Sequence, residues 1–384
     1  MWNSSVTTNC HNMEEATFSQ AVNGVPGYPT VNQTLCPFGQ LRILTASQGF
    51  YTYVTPIVFT VGIIGNILSL MVFMSRNMRK LSASTYLAAL SISDTCALVF
   101  YVLVDWLRRG LPYLPGQQAT TFLEDQGLCQ MQTYLSYVSR FVSAWIIATF
   151  TVERYIGVCH PLRRKSISGS RSAHKVIVSL IFIACVLMIY KPILTGRYEH
   201  STNYYKVARC SRDPNFPFVS FALDSTFALS ITLVPFLLIS VLNALIIRRL
   251  YLRNKRNLKR YIITEESIIR MEFTVILLVV SFVFITLNLP YFYFWCKRFL
   301  HTFNSTVPSR KRAAFLDQSE SDLLITRVIF YLNYCVNFFL YSVTGAYFRK
   351  EMKLLFCYRR YHQYNGSAFR LSYHSNQSTP QSYV

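Results

Sequence analysis

The apolar residues of this chain fall in long blocks rather than in short alternating runs. Tyr53 to Met74 contains no charged residue and is about as long as a helix must be to cross ~30 Å of hydrocarbon. Comparable runs follow at Tyr86 to Val104, Leu135 to Val152, Val176 to Leu194, Val219 to Ile247, Phe273 to Phe294 and Leu323 to Tyr347. In lipid every backbone N–H and C=O must be satisfied within the segment, so each run predicts a helix. The aromatic-rich runs near Phe282 and Phe339 would, in isolation, also suit buried helices of a soluble protein. Seven in series with short connections predict an all-α membrane protein, a seven-transmembrane-helix bundle. A short amphipathic stretch, Tyr347 to Phe356, predicts an interfacial helix after helix seven. The chain then divides into an extracellular tail (1–50), the bundle (51–346), the interfacial helix (347–357) and a cytoplasmic tail (358–384).

Composition agrees with this division. Only 14% of residues are charged against 52% hydrophobic, and the mean hydropathy is +0.28, whereas soluble domains carry about 25% charged residues. The 38 Lys and Arg against 17 Asp and Glu leave a net charge of +21. That excess is concentrated in three loops and the tail on one side, including Arg76, Arg79 and Lys80, Arg163 to Lys165, Arg248 to Arg260, and Arg349 to Lys353. By the positive-inside rule this side is cytoplasmic and the amino terminus is outside. The basic charge is therefore a topology signal with an attraction for the anionic lipid of the bilayer, not a nucleic-acid footprint. The opening residues MWNSSVTTNC lack a basic region followed by an apolar one, so the first span is expected to serve as its own insertion signal. The topology predicted is that of a multi-pass plasma-membrane protein. Asn3, Asn32 and Asn304 head glycosylation triplets on the outside, while Asn365 and Asn376 match the same pattern on the inside.

Cys129, at the outer start of helix three, and Cys210, in the second outer loop, lie on the oxidising face and are expected to form a disulfide. Cys10 and Cys36 form a second candidate pair, with Cys296 as a competing partner. Cys357 suits palmitoylation at the inner interface, or is a buried thiol.

Ionisable residues inside a span cost several kcal/mol unless paired or hydrated, and so mark functional sites. Asp94 lies mid-span in helix two, at the depth of Asn66, Ser143, Asn333 and Asn337. A carboxylate ringed by hydroxyl and amide oxygens suits a hard cation, most simply Na+; a hydrogen-bonded packing cluster is the alternative. No other cofactor is expected. At the inner end of helix three, Glu153-Arg154-Tyr155 offers an ion pair that opens when a partner supplies the guanidinium with another acceptor; a snorkelling interfacial pair is the alternative.

These residues together resemble a rhodopsin-like (class A) G-protein-coupled receptor. The resemblance rests on Gly65-Asn66, Leu90 to Asp94, Cys129 with Cys210, and Glu153-Arg154-Tyr155 followed by Pro161-Leu162. It continues through Pro235, Phe284 and Pro290 to Asn337 through Tyr341, and covers about Tyr51 to Cys357. Four departures stand out. Asn288 precedes Pro290 where the family usually has a tryptophan, and Asn337-Phe338-Phe339-Leu340-Tyr341 lacks the usual proline and with it the usual cause of a kink. Helix four has Phe182 near its usual tryptophan, and helix five has Asn243 where a tyrosine is common. The Asn-Leu-Pro and Asn-Phe-Phe-Leu-Tyr pair is similar to invertebrate FMRFamide-type neuropeptide receptors.

The resemblance implies an extracellular peptide ligand that enters between helices three, five, six and seven and is bound by Asp105, Trp106, Arg140, Asp224, Tyr291 and Arg327. Lys191 and further aromatic residues, among them Tyr134, Tyr137, Phe227, Tyr293, Trp295 and Tyr331, share that region. Arg140 lies well inside its span, and two partners are open to it: a ligand acceptor, or an internal ion pair with Asp105 or Asp224. The resemblance also implies a heterotrimeric G protein docked by Glu153, Arg154, Tyr155, Pro161 and Leu162. Phe284, Asn288, Pro290, Asn337 and Tyr341 would form the switch between the two ends. Arg270 takes the place of a usual acid on helix six, for which Glu265, Glu266 or Glu272 is a substitute. Ser367, Ser372, Ser375, Ser378, Thr379 and Ser382 offer phosphorylation sites for arrestin, and the terminal Ser-Tyr-Val is similar to a PDZ ligand. A retinal protein would need a lysine in helix seven, where Ser321 to Tyr347 has none. A transporter would need an internal repeat, and no catalytic constellation points to an enzyme.

Overall fold

The computed structural model describes residues 46–114, 121–160, 169–201, 206–256, 265–303 and 321–356. Asn3, Cys10, Asn32, Cys36, Pro161, Leu162, Asn304, Cys357 and the tail serines lie outside them. Helices one to six are Ala46–Phe73, Ser82–Tyr113, Gln126–Cys159, Ser170–Ile193, Pro217–Leu252 and Ile268–Lys297, each long and apolar enough to cross a membrane. Helix seven is a bent pair, Ser321–Tyr334 and Asn337–Thr344, with 51° between its halves. A further helix follows at 346–356. Each helix starts before its apolar block, and helices two, three, five and six also run past theirs, because a helix does not stop where the hydrocarbon does, whereas helices one, four and seven end one to three residues short. Phe282, Phe339 and Val343 are 69%, 48% and 77% exposed. Side chains of that kind spread over the outside of a bundle fit lipid as solvent, and the soluble-core alternative for these spans is set aside.

Helix one places Tyr51, Thr55, Val58, Gly62, Gly65, Ser69 and Val72 on its buried face, at the three-to-four spacing of one helical stripe. Its glycines admit close approach: a Cβ at Gly62 would lie 2.8 Å from Leu98 Cδ1 and 3.3 Å from the Cys335 backbone. Helix two is not the regular helix that its apolar run predicts. It carries a π turn at Leu98–Leu103 before resuming at Val104–Arg109. The extra residue in that turn changes the facing of the residues after it. Trp106 there donates Nε1–H to the Thr52 carbonyl (2.8 Å) and Asp105 turns toward helices one and seven.

Helix seven bends without a proline. Its backbone narrows to a 3-10 turn at Leu332–Tyr334, and the N–H groups of both Cys335 and Val336 go to the Leu332 carbonyl at 3.0 Å. The Tyr334 carbonyl, which in a regular helix would accept from the Phe338 N–H, takes Asn66 Nδ2 from helix one at 2.8 Å. A side chain inserted in the hydrogen-bond ladder is a sufficient cause of a kink. The core follows the same division. One buried cluster surrounds helix three toward Arg154, with Leu87, Ile146, Phe150, Ile276, Tyr341 and Phe348. A second joins helices one, two and seven at the other end, with Tyr51, Leu98, Val102, Val328 and Tyr331.

Candidate functional site

At the end of the bundle that carries Cys129, charged side chains converge between the helices. Asp105 is a hub: its Oδ2 accepts from Arg327 Nη1 (2.8 Å), Tyr331 Oη (2.6 Å) and Tyr51 Oη (2.9 Å), and its Oδ1 from Arg109 Nε (2.9 Å). Asp224 forms a second centre, with Lys191 Nζ at 2.7 Å, Tyr137 Oη at 3.2 Å and Tyr190 Oη at 3.4 Å on its Oδ1. Both carboxylates are therefore engaged, and Arg140 pairs with neither. Its Nε donates to the Ser136 carbonyl (3.1 Å), and its guanidinium carbon lies 4.1, 4.5 and 4.9 Å from the ring centres of Tyr101, Tyr137 and Phe227. Of the two partners left open to Arg140 by the sequence, the internal ion pair with Asp105 or Asp224 is not formed, and an aromatic cage surrounds the guanidinium. Three other cations already hold those acids, Arg327 and Arg109 on Asp105 and Lys191 on Asp224.

Of the six residues assigned to ligand binding, Asp105 and Arg327 are brought together, and the Arg327 guanidinium lies 5.8 Å from the Tyr291 ring. Arg140 and Asp224 are linked through Tyr137. Trp106 is directed at helix one instead. Tyr101 is not singled out by the sequence, because its facing depends on the π turn in which it lies. Its place four residues before Asp105 is the only signal for it. Below Arg140 a narrow cavity with room for about one water is lined by Arg140, Ser143, Phe284, Asn288, Asn333 and Tyr334. Asn288 is held by its own Nδ2–H to the Phe284 carbonyl (2.6 Å).

Asp94 is fully buried. Ser143 Oγ donates to its Oδ1 at 2.6 Å and Asn337 Nδ2 to its Oδ2 at 2.7 Å. Asn333 enters through its backbone, accepting a second Asn337 bond at 3.2 Å, while its own amide goes to the Phe330 carbonyl (3.0 Å). Among the described residues no group of three His, Cys, Asp or Glu forms a metal site. Tyr341, one turn on from Asn337, is buried, with its ring 5.2 Å from Phe73 and 5.8 Å from Phe348.

At the opposite end Arg154 and Glu153 form the expected ion pair, at 2.5 Å from Nη2 and 2.9 Å from Nε. Ser82 Oγ bridges it, donating to Glu153 Oε1 (2.7 Å) and accepting from Arg154 Nη2 (3.2 Å). Tyr155 does not join; its ring packs edge-on against His160 at 5.7 Å. Glu272, a candidate for the missing helix-six acid, accepts from the Tyr347 backbone N–H at 2.6 Å. It anchors the start of the 346–356 helix rather than Arg154. Glu351 ties that helix to the first short loop through Ser75 (3.2 Å) and Asn77 (3.0 Å).

Residues 65–341 match the family model described as 7 transmembrane receptor (rhodopsin family). The chain belongs to this family. It is 26% identical over 326 residues to the thyrotropin-releasing hormone receptor of Bos taurus, covering 78% of this chain and 76% of that one. It is 25% identical over 315 residues to the FMRFamide receptor of Drosophila melanogaster (79% and 53%). It is 24% identical over 356 residues to a purinoceptor of Gallus gallus (88% and 90%). All three are class A receptors, so the protein is a multi-pass signalling receptor rather than an enzyme, in a family that couples to G proteins.

The receptor's Cys129–Cys210 disulfide is formed, leaving Cys296 among the free cysteines. It anchors an antiparallel hairpin absent from the helical expectation, β1 (Thr195–Ser201) with β2 (Lys206–Arg212). Helix three holds β1 as well: Gln130 Nε2 donates to the Pro192 and Thr195 carbonyls (3.0 and 3.2 Å), and Gln126 Oε1 accepts the Arg197 N–H (2.7 Å). Glu124 accepts the Cys210 N–H.

Proposed function

We propose that the receptor sits in the plasma membrane with its amino terminus outside and responds to an extracellular peptide by opening its cytoplasmic face to a heterotrimeric G protein. The observation that carries the peptide reading is the mixed charge at the disulfide end of the bundle, where Asp105, Asp224, Arg140, Lys191 and Arg327 stand among tyrosines. A peptide offers amides, both termini and side chains of either charge to such a set; a lipid or a simple amine does not. The thyrotropin-releasing hormone and FMRFamide receptors among the relatives support it. The purinoceptor relative supports a second reading, a nucleotide, for which the surplus of cations speaks.

Arg154 carries the coupling role in this proposal, since its carboxylate partner among the described residues is its chain neighbour and a G-protein acceptor can exchange for it. Pro161, Leu162 and the basic ends of helices five and six complete the dock. Phosphorylated tail serines recruit arrestin, glycans sit on Asn3, Asn32 and Asn304, and an acyl chain sits on Cys357. Ligand binding shifts the population toward the open face only by its differential affinity for it. Calcium and cAMP output is expected to respond at nanomolar-range concentrations to a member of a panel of short amidated and free-acid peptides, and to lose that response in Arg154→Ala at equal surface expression. A panel of nucleotides run in parallel decides between the two ligand readings; silence of both panels overturns the assignment.

The Asp94 cluster is proposed as an allosteric Na+ site. A fully buried carboxylate bonded only to neutral donors lacks a counter-charge, and Asp94, Ser143, Asn333 and Asn337 bring oxygens of the hard type Na+ prefers. The ion would supply positive charge between helices two, three and seven. NaCl is expected to raise the melting temperature of the purified receptor above that in equimolar KCl, and Asp94→Asn to erase the difference. Equal melting in both salts speaks for a packing cluster alone.

A further inference from the structure

At the end of the bundle that carries Arg154, the loop between helices one and two meets the 346–356 helix. Glu351 is the joint: it is 5% exposed, its Oε1 accepts from Asn77 Nδ2 (3.0 Å) and its Oε2 from Ser75 Oγ (3.2 Å). The loop is pinned by Met78, fully buried at the start of the 3-10 turn Met78–Lys80. The helix is pinned by buried Phe348 and by Glu272 on the Tyr347 N–H. What stays exposed around the joint is basic: Arg76, Arg79 and Lys80 on the loop, Lys350 and Lys353 on the helix. Among the described residues none of these five side chains has an ion pair or a hydrogen bond. Arg79 and Lys80 are chain neighbours and Lys350 and Lys353 one helical turn apart, inside the ~8 Å over which physiological salt screens. Their repulsion therefore calls for a counter-anion. The segments 74–82, 160–175, 248–264 and 345–384 hold one acid between them, Glu351, so neither the tail nor another loop on this side supplies it. The other acids at this end lie on helices three and six, where Glu153 holds Arg154 and Glu272 holds the Tyr347 N–H, and Glu265 and Glu266 open helix six. Exposed apolar side chains flank the basic set: Met74 (60%) before the loop, Leu354 (49%) and Phe356 (46%) on the helix. Basic and apolar side chains together on the open side of a short helix fit a segment lying in the membrane interface.

We propose that the first loop and the 346–356 helix form a site for a polyphosphorylated inositol lipid, with the headgroup on the five free cations, the acyl chains beside Leu354 and Phe356, and Glu351 holding the two halves of the site together. A basic surface also attracts anionic lipid diffusely, each cation acting alone. The two cases differ in the sign of one effect. In diffuse attraction Glu351, as an acid, weakens binding; in a built site it strengthens binding, because it fixes the loop against the helix. A headgroup with several phosphates bridges loop and helix at once through charge-assisted hydrogen bonds, whereas a head with one phosphate reaches only one of them. The inference rests on the orientation proposed above, which sets this end of the bundle at the cytoplasmic leaflet, where anionic lipids lie.

The test uses the purified full-length receptor in neutral detergent, titrated with dioctanoyl phosphatidylinositol 4,5-bisphosphate, dioctanoyl phosphatidylserine and free inositol 1,4,5-trisphosphate, with bound molecules counted by native mass spectrometry. The bisphosphate lipid is expected to bind at least tenfold tighter than either of the others. Glu351→Ala raises the net charge by one and is nevertheless expected to weaken the bisphosphate lipid at least fivefold; equal or tighter binding leaves only diffuse attraction and overturns the proposal. Ser75→Ala/Asn77→Ala opens the same joint at unchanged charge and is expected to lose as much. Because a variant at a buried joint can fail to fold, two exposed pairs carry the same question. Arg76→Gln/Lys350→Gln is expected to lose at least tenfold, and Arg248→Gln/Arg249→Gln, an equal change of charge on helix five, less than twofold. Equal losses in the two pairs overturn the site. Free inositol trisphosphate bound as tightly as the lipid overturns the lipid as its occupant. An amino-terminal tag that antibody reaches only in permeabilised cells overturns the orientation instead, and leaves the binding result standing.

Discussion

Asp105→Ala is expected to destabilise the receptor by about 3–5 kcal/mol, the cost of leaving a buried cation without its partner. The Arg327 and Asp105 side chains are only 12% and 15% exposed, so water does not take over the lost pairing. The same substitution strips the acceptor from two tyrosine hydroxyls, Tyr51 and Tyr331. Each buried donor left unsatisfied adds about 1–3 kcal/mol, with overlap, since all bonds share one carboxylate. Surface expression and the melting temperature of the purified protein are the measurements. The control is the double variant Asp105→Ala/Arg327→Met. Removing both charges in favour of an apolar chain is often neutral, so the double variant is expected to recover most of the loss. If the single variant melts with wild type, the hub does not hold helices one, two and seven together; if the double variant is no better than the single, the tyrosines rather than the ion pair carry the cost.

The same hub shows where reading from sequence succeeds and where it stops. Seven spans are legible because a bilayer forces each crossing to be one continuous apolar helix, and that constraint acts on local sequence alone. Asp94 with Ser143 and Asn337, and Glu153 with Arg154, are legible because their depth or adjacency leaves few partners. The partner of Arg140 is not legible. Two carboxylates and three cations at similar depth allow several pairings. The choice is made by the π turn at Leu98–Leu103, which turns Asp105 toward Arg327, and by Lys191, which reaches Asp224 from helix four. The bend in helix seven is hidden for the same reason. Its cause is Asn66, 268 residues away in sequence, and nothing near Asn337 announces it. Glu272 is identified as an acid near the right place on helix six. That it serves a backbone N–H of the following helix follows only from where helix seven ends.

Cys129→Ser is expected to have an effect of similar size from a different origin. The Cys129–Cys210 bridge closes a loop with a sequence separation of 81, and chain-entropy scaling for a loop of that length gives about 4.5 kcal/mol. This term acts on the unfolded chain, so it is lost in full whether or not the hairpin keeps its place. The folded side has its own holds on the hairpin: Gln130 on the Pro192 and Thr195 carbonyls, Gln126 on the Arg197 N–H, and Glu124 on the Cys210 N–H. Net hydrogen bonds of about 1 kcal/mol each do not replace the bridge, but they keep the hairpin against the start of helix three in molecules that fold. Cys129→Ser and the double variant Cys129→Ser/Cys210→Ser are therefore expected to lose surface expression and melting temperature to the same extent. The fraction that reaches the surface should still signal. Gln130→Ala added to Cys129→Ser should then weaken signalling further than Gln130→Ala does in the bridged receptor, because without the bridge the hairpin depends on those bonds. Wild-type melting of Cys129→Ser contradicts the entropic account. Full expression with complete loss of signalling instead gives the bridge a direct part in shaping the ligand entrance.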